Sequence, residues 1–136
     1  MSSPTRTGSC FCGTVRFAAR GEPIAVALCH CSMCRRSAGA PVVAWAMFPL
    51  SDFEWSRGKP AVYASTPGVE RSFCRTCGTT LTFVADFMPG LVDVTVASFE
   101  DPAALSPQMH IWDGARLPWL ATSDSLPRHA ELPPQG

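Results

Sequence analysis

The sequence predicts a small all-β domain pinned by metal, with one or two short helices, on three observations. Its apolar residues come in short runs, some alternating with polar residues as in a half-buried strand and some continuous as in a strand covered on both faces. Its 13 prolines and 10 glycines are spread along the chain, which favours many short segments joined by turns over a few long helices. Its seven cysteines fall into two close pairs and one triplet, a grouping that suits metal ligation. A chain of 136 residues with 46% hydrophobic content fits a single domain over residues 1–136 built around one core.

The strands follow in order. GTVRFAA at 13–19 alternates, with Val15 and Phe17 on one face and Thr14 and Arg16 on the other. IAVAL at 24–28 and VVAWAMF at 42–48 are continuous apolar runs, the mark of strands buried on both sides. TLTFV at 80–84 and LVDVTVA at 91–97 alternate again, the second bringing Val92, Val94 and Val96 to one face. GEP, SRGKP, TPG and MPG separate the runs as turn signals. Two stretches read as short helices. SMCRRSAG at 32–39 has Ser32 as N-cap and stops at Gly39 before Pro41, and DPAAL at 101–105 has Asp101 as cap with Pro102 in the first helical position. The tail LPPQG at 132–136 is expected to be loose.

Charge narrows the partners. Lysine plus arginine equals aspartate plus glutamate at 11 each, so no electrostatic footprint for nucleic acid is present. Seven thiolates holding two Zn²⁺ ions would take the formal charge from 0 to −3, which disfavours a phosphate backbone further. No apolar run reaches the roughly 18 residues of a membrane span, and MSSPTRTGS lacks the apolar centre of a signal peptide. The expectation is a soluble, cytoplasmic protein with no membrane partner. An odd number of cysteines without a secretion signal argues against a disulfide framework and for metal or thiol chemistry.

Cys74-Arg75-Thr76-Cys77-Gly78 has the form of a zinc knuckle, with Gly78 free to adopt a left-handed backbone so that the turn's amides approach a thiolate. Cys10 and Cys12, read as positions i and i+2 of an extended segment, point the same way while Phe11 points oppositely. The two pairs together can close a tetrahedral four-cysteine site. In CHCSMC at 29–34, Cys29 and Cys31 share a face, His30 lies on the other, and Cys34 joins them if the chain turns at Ser32. Three protein ligands leave a fourth position for water or substrate, as in catalytic zinc. The alternative is a closed site with His110 or His30 as fourth ligand.

These residues closely resemble the glutathione-dependent formaldehyde-activating enzyme and centromere protein V family. The pattern is GSCFCGTVRF at 8–17, CHCSMCRRSAG at 29–39 and FCRTCGT at 73–79, followed by HIW at 110–112 and PWL at 118–120, and it covers about residues 6 to 130. The resemblance implies a zinc-bound β-tent, a complex of short antiparallel sheets, with a structural zinc on Cys10, Cys12, Cys74 and Cys77. It implies a second zinc on Cys29, Cys31 and Cys34, where the family's chemistry is placed. The implied activity is that of a carbon–sulfur lyase, joining glutathione to formaldehyde as S-hydroxymethylglutathione.

For that reaction a thiol entering the three-cysteine site loses its proton and attacks formaldehyde, and the resulting alkoxide needs a proton. His110 and Tyr63 are the candidate donors. Arg35 and Arg36, just after the cysteine triplet, are candidates to clamp the carboxylates of glutathione, and Trp112 and Trp119 are candidate pocket walls. A zinc-stabilised binding module without turnover is the alternative, because thiols add readily to formaldehyde unaided and no strong proton donor is visible in the sequence.

Overall fold

A computed structural model describes residues 4–134; the last two residues of the LPPQG tail lie outside the described part. The chain folds into two sheets and one α-helix. The smaller sheet contains β1 (Thr5–Ser9), β2 (Arg16–Arg20) and β5 (Phe53–Arg57), antiparallel in the order β1-β2-β5. The larger contains β3 (Ala25–Cys29), β4 (Val43–Pro49), β6 (Ala61–Thr66), β7 (Val69–Phe73), β8 (Thr80–Ala85), β9 (Leu91–Thr95) and β10 (Met109–Ile111), in the order β10-β3-β4-β9-β8-β7-β6. The helix α1 (Ser32–Ala38) joins β3 to β4.

The all-β expectation is met, with one departure from purely antiparallel sheets. β10 runs parallel to β3, pairing His110 with Leu28 and Ile111 with Cys29. The pairing is fixed by Gln108, whose amide donates to the Val26 carbonyl while its side-chain oxygen accepts from the Val26 amide. The second expected helix, DPAAL, is only a 3₁₀ turn at Pro102–Ala104, and Asp101 makes no side-chain cap. Such a short segment has too few backbone hydrogen bonds to sustain an α-helix.

The core lies where the two sheets face each other. Phe17 and Ala19 from β2 meet Val26, Ala46, Phe48, Val92 and Val94 from the larger sheet, with Leu81 and Phe99 closing the space. Phe17 stacks on Phe53 at 5.6 Å and meets Phe99 edge-on at 5.0 Å, arrangements that aromatic quadrupoles favour. Gly8 of β1 bridges to Phe99 across this core, and a Cβ there would collide with the Phe17 ring and the Ser98 carbonyl oxygen.

The opposite face of the larger sheet carries a second, smaller apolar cluster containing Cys29, Cys34, Val43 and Trp45. Because side chains alternate across a sheet, the residues that send Val92 and Val94 into the main core send Asp93 to this other face. Among the described residues no helix is long and apolar enough to cross a membrane.

Candidate metal centres and the pocket beside them

The first cysteine group sits between two turns. Cys10 follows β1, and Cys10-Phe11-Cys12 lies in a turn closed by the Gly13 amide donating to the Cys10 carbonyl at 3.1 Å. The extended geometry expected for this pair is therefore replaced by a turn, but its consequence survives: Phe11 is 94% exposed and points away from the sulfurs. Cys74 and Cys77 occupy the β7–β8 turn. Gly78, at φ 84°, supplies the left-handed backbone there and its amide donates to the Cys74 carbonyl. The Cys77 amide donates to Cys74 Sγ at 3.4 Å, and the Phe11 amide donates to Thr79 Oγ1, tying the two turns together.

The four sulfurs lie within 4.8 Å of one another, with Cys10–Cys12 at 3.6 Å and Cys12–Cys74 at 3.8 Å. Two sulfurs bound ~2.3 Å from one tetrahedral ion sit about 3.8 Å apart. The donor set thus fits zinc, and an ion here would clasp the smaller sheet to the larger. The thiols are already unlike one another. The Thr79 hydroxyl, with the Thr79 and Cys12 amides, brings Cys77 down to about 5, whereas burial raises Cys10.

The second group forms where β3 runs into α1. Cys29 ends the strand, Cys31 is the helix N-cap, and Cys34 lies in the first turn; their sulfurs also fall within 4.8 Å of one another, Cys29–Cys34 at 3.6 Å. The cap is Cys31 and not Ser32 as expected, because Cys31 Sγ accepts the Cys34 amide at 3.3 Å, the bond a serine oxygen makes at such a position. At the other end Gly39 is left-handed, as its sequence position suggested.

Hydrogen bonds from Cys29 and Cys34 hold the Cys31 thiol down to about 2. The same contacts push Cys29 up, and Cys34 rises overall because its contact with Cys31 and its burial outweigh the lowering contact with Cys29. Three thiols so placed share one negative charge easily and a second only with a cation among them, which is the behaviour of a metal site. The Arg71 guanidinium lies 3.7 Å from Cys34 Sγ and over the Phe83 ring at 4.8 Å.

These cysteines open onto a cavity of about 480 Å³, walled mainly by Trp45, Phe83, Phe87, Met88, Ile111 and Trp112. Trp112 is left-handed at φ 53°, alone among the described non-glycine residues; this turns the chain off β10 and brings Trp112 to the pocket. Two charged residues line the cavity, Arg71 and Asp93. Phe83 pairs with Arg71 on one side and with Asp93 on the other, so the two charged groups stand about 10 Å apart across three strands. Among the described residues no ion pair meets Asp93, and desolvation pushes its carboxyl up to about 7.

The other site residues expected from sequence are placed elsewhere. His110 is fully buried on the face opposite Cys29, its Nδ1 2.9 Å from His30 Nε2 and its Nε2 3.0 Å from Asp124. It is absent from the pocket lining, since it pairs with Leu28 in a register that turns it away from Cys29 and Ile111. Neither His30 nor His110 therefore completes the three-cysteine group. His30, His110 and Asp113 do come within 4.8 Å, but Asp113 is already paired with Arg128 and Arg116, and the histidines with each other. The two histidines with Asp124 read as a hydrogen-bonded chain that fixes His30 between Cys29 and Cys31.

Tyr63 stands 62% exposed on edge strand β6, and Trp119 is 70% exposed; neither lines the pocket. Arg35 is spent on the carbonyls of His30 and Ala115, at 2.6 and 2.7 Å, and Arg36 is exposed on α1 outside the cavity. Sequence reasoning missed Asp93 and Arg71. The available signal was a lone carboxylate inside the valine alternation LVDVTV, which is ordinarily a solvent-facing position.

Two layers of sheet, with four sulfurs gathered at one edge and three more at an apolar pocket, define a β-rich domain whose cysteine groups have the donor sets of metal sites. The sequence pattern of the glutathione-dependent formaldehyde-activating enzyme family matches residues 5–115, and the chain belongs to that family. An uncharacterized lyase of Schizosaccharomyces pombe is 35% identical over 88 residues, 59% of this chain and 58% of that protein, so the match spans little more than half of the relative's length. The crystal structure of a Rhodobacter sphaeroides protein superposes with a TM-score of 0.60 at 31% identity, covering 69% of this chain and 87% of that one.

Proposed function

We propose that this protein is a carbon–sulfur lyase acting on the adduct of a small thiol with formaldehyde, the S-hydroxymethylglutathione reaction being the family's form of it. One observation carries the proposal: three metal-type sulfurs, a carboxyl group that titrates near neutrality and room for a small organic ligand share one cavity. Zinc held by Cys29, Cys31 and Cys34 would act as a Lewis acid that favours the thiolate form of an incoming thiol. Cys10, Cys12, Cys74 and Cys77 would hold a second zinc whose role is to close the fold. None of the seven cysteines is paired in a disulfide, which suits a reducing compartment such as the cytoplasm.

The chain's own residues do the rest. The aromatic walls give the adduct's carbon an apolar seat beside the sulfurs. In the direction of synthesis the thiol gives up its proton to solvent, its sulfur bonds to the aldehyde carbon, the carbonyl pair moves to oxygen, and protonated Asp93 gives that oxygen its proton and is reprotonated from solvent. In cleavage the carboxylate takes the hydroxyl proton back as the carbon–sulfur bond breaks. Arg71, against Cys34 Sγ, offsets negative charge on the sulfurs. Asp93 supplies the proton donor whose apparent lack favoured a non-catalytic module.

Cys31→Ser tests the proposal. The variant should fold, keep the metal of the four-cysteine group and lose turnover to the uncatalysed rate. A folded Cys31→Ser protein without metal at the triplet that still turned over the adduct would sink the proposal.

A further inference from the structure

We infer that the thiol this pocket takes carries an apolar body of about the size of an aromatic ring, and not the doubly carboxylated, amine-bearing peptide of glutathione; the inference rests on the lyase reading above. The pocket's walls are four aromatic rings with two methionines and an isoleucine. Phe87 and Met33, which also line the cavity, are each 57% exposed, so the apolar surface is continued by side chains that present themselves to solvent. A ligand body of matching chemistry would cover that surface and gain roughly 25 cal/mol per Å² of apolar area removed from water.

Glutathione would bring two carboxylates and an ammonium into this space, and each needs a partner when desolvated. Among the described residues the only cation lining the cavity is Arg71, which is already held against Cys34 Sγ and the Phe83 ring. Of the nearby arginines, Arg35 is held by two carbonyls and Arg116 and Arg128 by Asp113, while Arg36 stands exposed on α1 outside the cavity lining. Among the described residues Asp93 is the one acidic group lining the cavity, and a ligand carboxylate placed beside it would find no cation to pair with there. The pocket therefore offers a proton donor for the reacting oxygen and an apolar seat for what lies behind the sulfur, with no clamp for a peptide's ends.

The test uses the zinc-loaded protein and two probes, phenylmethanethiol and glutathione, each titrated calorimetrically and then assayed with formaldehyde against the uncatalysed reaction. The expected result is at least about tenfold tighter binding of phenylmethanethiol and a similar excess in kcat/KM, the scale on which an apolar pocket discriminates. The preference ratio should fall several-fold in Phe87→Ser, whose exposed site tolerates the change. Glutathione binding equally well or better, with its adduct turned over, would overturn the inference and leave the lyase reading intact. Preferential binding of phenylmethanethiol with neither adduct turned over would uphold the pocket's preference and sink the lyase reading.

Discussion

Asp93→Asn separates the chemical role of the pocket carboxyl from its cost to the fold. Burial raises Asp93 from 3.8 to about 7, so the folded protein holds a proton that the unfolded chain has already released. The wild-type contribution is thus intact below pH 4 and is lost as pH rises towards 7, after which the difference is constant. At 1.36 kcal/mol per unit the shift corresponds to about 4 kcal/mol, reduced to about 2 kcal/mol by the solvent that reaches the cavity. Asparagine has nearly the same shape and does not ionise. Denaturant unfolding of both proteins at pH 4.5, 6, 7 and 8 should therefore show the variant gaining on the wild type by about 2 kcal/mol across this range, whatever metal release does to both. In kinetics, wild-type adduct formation should decline as pH rises through about 7, while Asp93→Asn lacks that limb and is roughly 10²-fold slower. A stability difference independent of pH, together with an unaltered rate profile, would refute both the burial argument and the proton-donor role.

Cys77→Ser should lose one of two zinc ions per chain and lower the thermal midpoint by more than 10 °C, read by metal analysis and calorimetry, because the ion's binding energy is folding energy in a site that joins two sheets; an unchanged transition would rule out the clasp. Gly8→Ala should destabilise by roughly 1–3 kcal/mol in urea titration, since the new Cβ meets the Phe17 ring and the Ser98 carbonyl with no room to yield; a shift below about 0.5 kcal/mol would mean that β1 moves freely against the core.

The part of this structure legible in the sequence is the part governed by short spacing. Both cysteine groups, the left-handed Gly78 and Gly39, and the cores of β2, β3, β4, β8 and β9 follow from local pattern. What escaped depends on register between distant strands. Arg71 and Asp93 read as ordinary polar positions, in VERSF and LVDVT, and only their pairing with Phe83 sets them in one pocket. β1 and β7 are polar enough to read as connections, and β5 and β6 are short mixed runs; all four become strands because a neighbouring strand pairs with them. His110 is a candidate for the chemistry in the sequence because histidine so often serves there. The parallel pairing of β10 with β3, which no local signal announces, buries it behind the sheet instead.

The central claim is that the three-cysteine group holds a metal to which a thiol is brought. Elemental analysis of the purified protein, with X-ray absorption at the zinc edge before and after thiol titration, tests it most directly. The account predicts close to two zinc ions per chain and, on adding thiol, a rise in mean sulfur coordination from the value set by the seven cysteines towards four sulfurs at each ion. A single zinc whose four-sulfur shell is indifferent to thiol would contradict it.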